Sequence, residues 1–219
     1  MNSPLRARVA AEFLGTALLV AAVVGSGIMA ERLSGGNAGL ALLANTIATG
    51  AALVALILAF TSVSGAHFNP AVSVADAMDG GLPWGDAIAY IVGQCSGGLL
   101  GTICAHAMFG LALISPSRHA RSGPAELLSE FVAAFGLLCV ILGCSRSRSG
   151  LTAFAVGSYI TAAYWFTAST AFVNPAVTIA RSLTDTFAGI RPRDVGPFAL
   201  AQMAGGLAAT TLFRWFASN

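Results

Sequence analysis

The residues best suited to contact a solute form two copies of an Asn-Pro-Ala box. The boxes lie in "AHFNPAVSVA" and "AFVNPAVTIA", and they comprise Asn69, Pro70 and Ala71, and Asn174, Pro175 and Ala176. Asn caps a helix with its side-chain oxygen, and Pro at the first helical position loses no hydrogen bond because that N–H would be unpaired anyway. Each box therefore predicts a helix start. The unpaired N–H groups there, with a partial charge of about +0.5, favour electronegative oxygen atoms and disfavour cations.

Two acidic side chains lie in otherwise apolar stretches, Glu12 in "AEFLGTALL" and Glu130 in "SEFVAAFGL". An acidic group near the bilayer centre costs roughly 2.5–3.5 kcal/mol on insertion scales, so each Glu needs an explanation. One interpretation is proton coupling, as in a secondary transporter. The other is a carboxylate that accepts N–H bonds from the loops leading to the boxes. His67, two residues before Asn69, either lines an aqueous vestibule or makes a structural hydrogen bond.

The sequence lacks the motifs of covalent, metal and phosphate chemistry. It contains no Ser/His/Asp set, no Cys or His at metal-ligand spacing and no phosphate-binding Gly loop. It also lacks a basic run interleaved with aromatic residues, the pattern typical of nucleic-acid binding. We therefore expect no enzymatic activity, no cofactor, no metal site and no nucleic-acid partner.

The composition is that of a membrane protein, with 56% apolar and 9% charged residues. A soluble domain carries roughly 25% charged residues. Six runs reach the length of about 20 residues that crosses a bilayer core: 9–30, 39–61, 84–111, 125–144, 150–169 and 197–216. The helical patterns after the boxes, 69–78 and 174–183, are only about 15 Å long, which is half a bilayer.

The chain repeats itself internally. "GQCSGGLLG" at 93–101 matches "AQMAGGLAA" at 201–209, and the two Glu-Phe pairs match as the boxes do. We predict one all-α membrane domain, 1–219, with repeats at about 1–114 and 115–219, six transmembrane helices and two half-spanning helices. Three full spans per half make the second repeat enter the membrane inverted, so that the half helices meet at the midplane, N-terminus to N-terminus. Non-helical backbone at that depth is tolerated only where it lines a water-filled cavity.

These motifs resemble the major intrinsic protein family, the aquaporins and aquaglyceroporins, over the whole chain. The resemblance implies the aquaporin fold, passive transport through a single-file pore whose midpoint is the two boxes, and a homotetramer. It further implies a bacterial inner (plasma) membrane location, contact with lipid, and cytoplasmic N- and C-termini. It favours a loop-bracing role for Glu12 and Glu130 over proton coupling.

In this family a selectivity filter of four positions narrows the pore, and gapless counting places these positions at Thr49, Ala162, Ala171 and Val177. The last position is normally Arg in the family. Val offers neither the charge nor the five N–H donors of Arg, so we expect a wide, Arg-less and mostly apolar ring. Arg181 could substitute, but it lies seven residues into the half helix, about 10 Å from its start, and we expect it away from the ring.

A filter with Val in place of Arg is similar to that of the aquaglyceroporins of bacterial arsenic resistance. The resemblance implies conduction of arsenite as its neutral trihydroxy acid, together with glycerol, urea and water. A water and glycerol facilitator with no metalloid role remains an alternative, as does a proton-coupled secondary transporter.

Overall fold

The computed structural model describes residues 3–146 and 150–218, which form eight α-helices. In chain order the helices are α1 (Leu5–Leu33), α2 (Ala38–Ser64), α3 (Pro70–Asp79), α4 (Trp84–Met108), α5 (Pro124–Arg146), α6 (Thr152–Phe166), α7 (Pro175–Arg181) and α8 (Pro192–Ser218). The expected all-α class is confirmed.

Five of these helices, α1, α2, α4, α5 and α8, are long and apolar enough to cross a bilayer. The sixth expected span, 150–169, is only partly helical, because α6 has 15 residues and is therefore about 22 Å long. It ends where Thr167 adopts an extended conformation and the Ala168 N–H bonds to the Ser129 hydroxyl, 3.1 Å away. The residues after Phe166 thus belong to the loop that leads to the second box.

The two short helices begin at the boxes. Asn69 caps α3 by accepting the Ala71 N–H, and Asn174 caps α7 by accepting the N–H groups of Ala176 and Val177. Helix α3 has the expected ten residues, whereas α7 has seven and ends at Arg181. Local capping chemistry alone therefore fixes where both helices start.

Close glycine contacts join the helices within each half. A Cβ atom on Gly97 of α4 would lie 2.1 Å from the Phe13 carbonyl oxygen of α1, and one on Gly205 of α8 would lie 2.3 Å from the Phe131 carbonyl oxygen of α5. Any side chain there would force the backbones apart. The small residues matched between 93–101 and 201–209 thus allow the same tight crossing twice, which positions the two Glu-Phe pairs.

Candidate functional site

The side chains of Asn69 and Asn174 each reach across to the loop that precedes the other box. Asn69 Nδ2 donates to the Val173 carbonyl oxygen at 2.9 Å, and Asn174 Nδ2 donates to the Phe68 carbonyl oxygen at 2.7 Å. These reciprocal bonds hold the N-termini of α3 and α7 next to each other. Two partly positive helix ends are therefore concentrated at one place inside the protein.

The buried carboxylates hold the two loops. Glu12 accepts hydrogen bonds from the Ser64 hydroxyl, the Gln94 amide and the backbone N–H groups of His67 and Phe68, at 2.6–3.0 Å. Charge-assisted bonds contribute about 1.5–3 kcal/mol each, so four of them exceed the insertion cost of one acidic group.

Glu130 makes the equivalent set in the second half. It accepts from the N–H groups of Phe172 and Val173 and from the Gln202 amide at 2.6–2.9 Å. Glu12 and Glu130 are both fully buried, and neither is among the residues on the wall of the cavity described below.

The loops that these carboxylates hold adopt strained backbone. Ala66 and Phe68 in the first loop have positive φ angles, as do Ala171 and Val173 at the matching positions in the second. Left-handed backbone costs non-glycine residues about 1–3 kcal/mol each, and such residues persist only where their surroundings over-determine them. The carboxylate bonds to the neighbouring N–H groups supply that constraint.

A cavity of about 700 Å³ adjoins both Asn side chains. Thr49, His67, Ala171 and Val177, four of the sequence-predicted site residues, line it. The remaining members of the boxes, Pro70, Ala71, Pro175 and Ala176, are buried but are not on its wall.

The expected position of Ala162 is wrong, because this residue lies on the exposed face of α6. Helix α6 instead presents Ala153, Val156, Ile160 and Tyr164 to the cavity. The Tyr164 hydroxyl donates to Thr49 Oγ1 at 3.3 Å, so Tyr164 lies beside Thr49 on the cavity wall. The spacing of three to four residues along this stripe is visible in the sequence and was the signal for the correct face.

Arg181 also departs from the expectation. It lies on the wall of the same cavity as Val177, and its side chain is buried inside the protein. Its guanidinium carbon lies 3.4 Å from the centre of the Phe172 ring, and its Nε donates to the Ala188 carbonyl oxygen. A positively charged side chain therefore lies on the same cavity wall as Val177, which itself carries no charge.

Arg121, from the loop between α4 and α5, contacts the same Phe172 ring at 4.9 Å from its centre. Its donors bond to the carbonyl oxygens of Gly189 and Ser169 at 2.8 and 3.2 Å. Burial lowers the pKa of the Arg121 guanidinium from its usual range. Arg121 thus joins its own loop to the loops that contain Ser169 and Gly189, and it is not on the cavity wall.

His67 lies on the cavity wall and also makes polar side-chain contacts. Its ring lies on the cavity wall, while Nδ1 lies 3.1 Å from Ser73 Oγ and Nε2 lies 3.6 Å from Asp76 Oδ2. Within the described part of the chain, no group of three or more His, Cys, Asp or Glu side chains could hold a metal ion. The cavity wall thus combines amide, hydroxyl and apolar groups with the His67 imidazole, the carboxylates of Asp76 and Asp79, and the Arg181 guanidinium.

Comparison with known proteins agrees with this geometry. The major intrinsic protein family profile matches residues 2–152. Aquaglyceroporin AqpS of Rhizobium meliloti is 54% identical over 211 residues, which cover 96% of this chain and 90% of that protein. A glycerol uptake facilitator protein of Streptococcus pneumoniae is 30% identical over 68% of this chain and 70% of its own length. The X-ray structure of the aquaglyceroporin from Plasmodium falciparum superposes with a TM-score of 0.70 at 18% identity, covering 97% of this chain and 95% of that one.

Proposed function

The chain belongs to the major intrinsic protein family and is a multi-pass membrane protein, and we propose that it is a passive transmembrane channel for small neutral solutes. The observation that carries this proposal is the pair of half helices whose Asn caps each donate a hydrogen bond to the loop before the other box, at the wall of a single cavity. Such paired helix ends suit a polar, uncharged solute. Their N–H groups donate hydrogen bonds to hydroxyl and carbonyl oxygens, and their partial positive charge disfavours cations.

The proposed roles of the site residues follow from their contacts. Asn69 and Asn174 are the pore midpoint, with the Pro and Ala of each box supporting them. Glu12 and Glu130 brace the two loops, because both bond to loop N–H groups. His67 lies at the vestibule on the α3 side of the Asn pair.

We place the selectivity filter at Thr49, Tyr164, Ala171 and Val177. Tyr164 replaces Ala162 in this set, so the ring is less open on the α6 side than counting suggested. Val177 leaves the position next to Asn174 without a donor or a charge. The space it leaves favours solutes larger than water, and the hydroxyls of Thr49 and Tyr164 offer hydrogen bonds to them.

The proposed solutes are water, glycerol, urea and arsenite in its neutral trihydroxy form. All four are small, uncharged and rich in hydrogen-bonding groups. The relatives named as an aquaglyceroporin and as a glycerol uptake facilitator support the polyol class. Arsenite follows from its chemical likeness to a small polyol and from the Val177 position.

Solute uptake by vesicles containing the purified protein tests this proposal. Light scattering should show faster entry of glycerol, urea and arsenite than in protein-free vesicles, without saturation and without response to a proton gradient. Equal arsenite entry with and without the protein, alongside accelerated glycerol flow, would leave a water and glycerol facilitator. Saturating, gradient-driven uptake would instead favour a proton-coupled transporter.

We further propose a homotetramer in the bacterial inner membrane with both termini cytoplasmic. Large apolar side chains exposed on the outer faces, such as Ile88 and Val92 of α4 and Leu200 of α8, suit contact with lipid or a second copy. Six crossings, with α6 as the short sixth, return the chain to the side on which it began. Cross-linking in native membranes and protease protection of tagged termini test the two points separately.

A further inference from the structure

Arg181 and Val177 share one face of α7. They are four residues apart, which is about one helical turn, and both line the cavity. Helical side chains point back towards the N-terminus of their helix, so the surface that a residue covers lies over the preceding turn. The long Arg181 side chain therefore reaches back to the level that Val177 leaves open.

Two contacts fix the guanidinium in that place. Its carbon lies 3.4 Å from the centre of the Phe172 ring, and Phe172 is two residues before the Asn174 cap. Arg181 Nε donates to the Ala188 carbonyl oxygen. The residue is only 2% exposed, so the cation is held inside the protein rather than in bulk solvent.

Among the described residues, Arg181 forms no salt bridge. In residues 3–146 and 150–218 the ion pairs involve other basic side chains, namely those of Arg8, His67, Arg118 and Arg191. Glu130 accepts hydrogen bonds from the loop and from Gln202, and within the described residues it accepts none from Arg181. Over the same residues, Nε is the one Arg181 side-chain group that donates a hydrogen bond, so the terminal N–H groups remain for a solute.

A second guanidinium strengthens the local positive field. Arg121 contacts the same Phe172 ring, and because both centroid distances are below 5 Å, the two guanidinium carbons lie within about 10 Å of each other. The donors of Arg121 bond to loop carbonyl oxygens, so it acts at a distance while Arg181 faces the cavity.

We propose that Arg181 is the charge-selecting residue of this pore: it supplies, from one turn further along α7, the cation that is missing at position 177. The constriction then carries a fixed positive charge that excludes cations, and N–H donors that bind the oxygen atoms of neutral solutes. This inference rests on the proposed channel function. The sequence predicted an uncharged ring. In this proposal the ring carries a positive charge, which comes from a residue one helical turn further along α7.

The test compares urea with the guanidinium ion, which have nearly the same planar shape and differ in charge. In vesicles containing the wild-type protein, urea should enter rapidly and guanidinium chloride should not. A cation that passes about 8 Å from a unit positive charge, at an effective dielectric constant of about 20, is disfavoured by roughly 30-fold. Arg181→Gln should therefore raise guanidinium entry by about that factor while urea entry changes little.

Three further variants guard against misinterpretation. Arg181→Lys should keep most of the exclusion because it keeps the charge. The matched control Arg118→Gln removes a side chain that is 92% exposed and should leave both fluxes unchanged. The double variant Val177→Arg/Arg181→Val moves the guanidinium back by one turn and should restore exclusion lost in Arg181→Gln.

The proposal is overturned if the wild-type protein admits guanidinium as readily as urea, a result that needs no variant to fold. It is also overturned if Arg181→Gln, with normal water flow, still excludes guanidinium. If the wild-type protein passes water but neither urea nor glycerol, the wider-solute part of the proposed function fails. The role of Arg181 is then decided by proton flux, which should rise in Arg181→Gln and stay low in Arg118→Gln.

Discussion

Replacing Glu130 with Gln should weaken the loop that forms one side of the constriction. The carboxylate accepts the Phe172 N–H at one oxygen and the Val173 N–H at the other, at 2.9 and 2.8 Å. A Gln amide has one oxygen and one NH₂ group, so either orientation turns a donor towards one of these N–H groups. A buried N–H without an acceptor costs about 1–3 kcal/mol, and the remaining bonds lose their charge assistance. We expect a net loss of about 2–4 kcal/mol after allowing for the removal of a buried charge.

Glu130→Gln should slow solute conduction as well as lower stability, because Ala171 and Phe172 line the cavity and Arg181 stacks on Phe172. Thermal melting in detergent and stopped-flow glycerol entry measure the two effects. Glu31→Gln is the matched control, since its carboxylate also accepts a backbone N–H, that of Phe187 at 3.3 Å, but at an exposed site. The bracing role is refuted if Glu130→Gln melts and conducts like Glu31→Gln, or if it abolishes a proton-gradient response that the wild type shows.

Three further sets of substitutions test other parts of the protein. Val177→Arg should slow glycerol and urea entry about tenfold or more while sparing water, because the added side chain fills the space beside Asn174. If water entry slows by the same factor, the added side chain blocks the pore and does not select by solute size. Ala162→Trp should leave all solute fluxes unchanged, whereas Tyr164→Ala should raise glycerol entry. If Ala162→Trp slows glycerol entry and Tyr164→Ala has no effect, Ala162 belongs to the filter and Tyr164 does not. Gly97→Leu should abolish folding, since its Cβ would meet the Phe13 carbonyl oxygen at 2.1 Å, whereas Gly85→Ala, with open space around it, should express normally.

The helix starts were predictable because the chemistry that fixes them is local. Asn followed by Pro determines the caps of α3 and α7 wherever the rest of the chain lies. The matched Glu-Phe pairs likewise pointed to carboxylates placed equivalently in the two halves, and Glu12 and Glu130 both bond to the loop before a box.

The face of α6 was not obtained by counting back from Asn174. Such a count assumes the loop length of other family members, whereas α6 here ends at Phe166 and eight residues separate it from Pro175. An error of two residues turns a helix by about 200°, which is enough to exchange an exposed residue for one on the cavity wall. Ala162 and Tyr164 differ in this way.

Arg181 was missed for a different reason. Helical rise places its Cα about 10 Å from the start of α7, but the side chain points back along the helix and ends against Phe172. The position of a long side chain depends on what it packs against, and this ring comes from a loop with positive φ angles on both sides of it. No periodic pattern in the sequence predicts the contact between Arg181 and Phe172.

Stopped-flow light scattering on vesicles with and without the purified protein, run in parallel for water, glycerol, urea and arsenite, tests the channel most directly. Faster and non-saturating entry of all four solutes, with guanidinium excluded, is the predicted result. Entry at protein-free rates for every solute except water would contradict a pore widened at Val177, and no acceleration even of water would contradict a channel altogether.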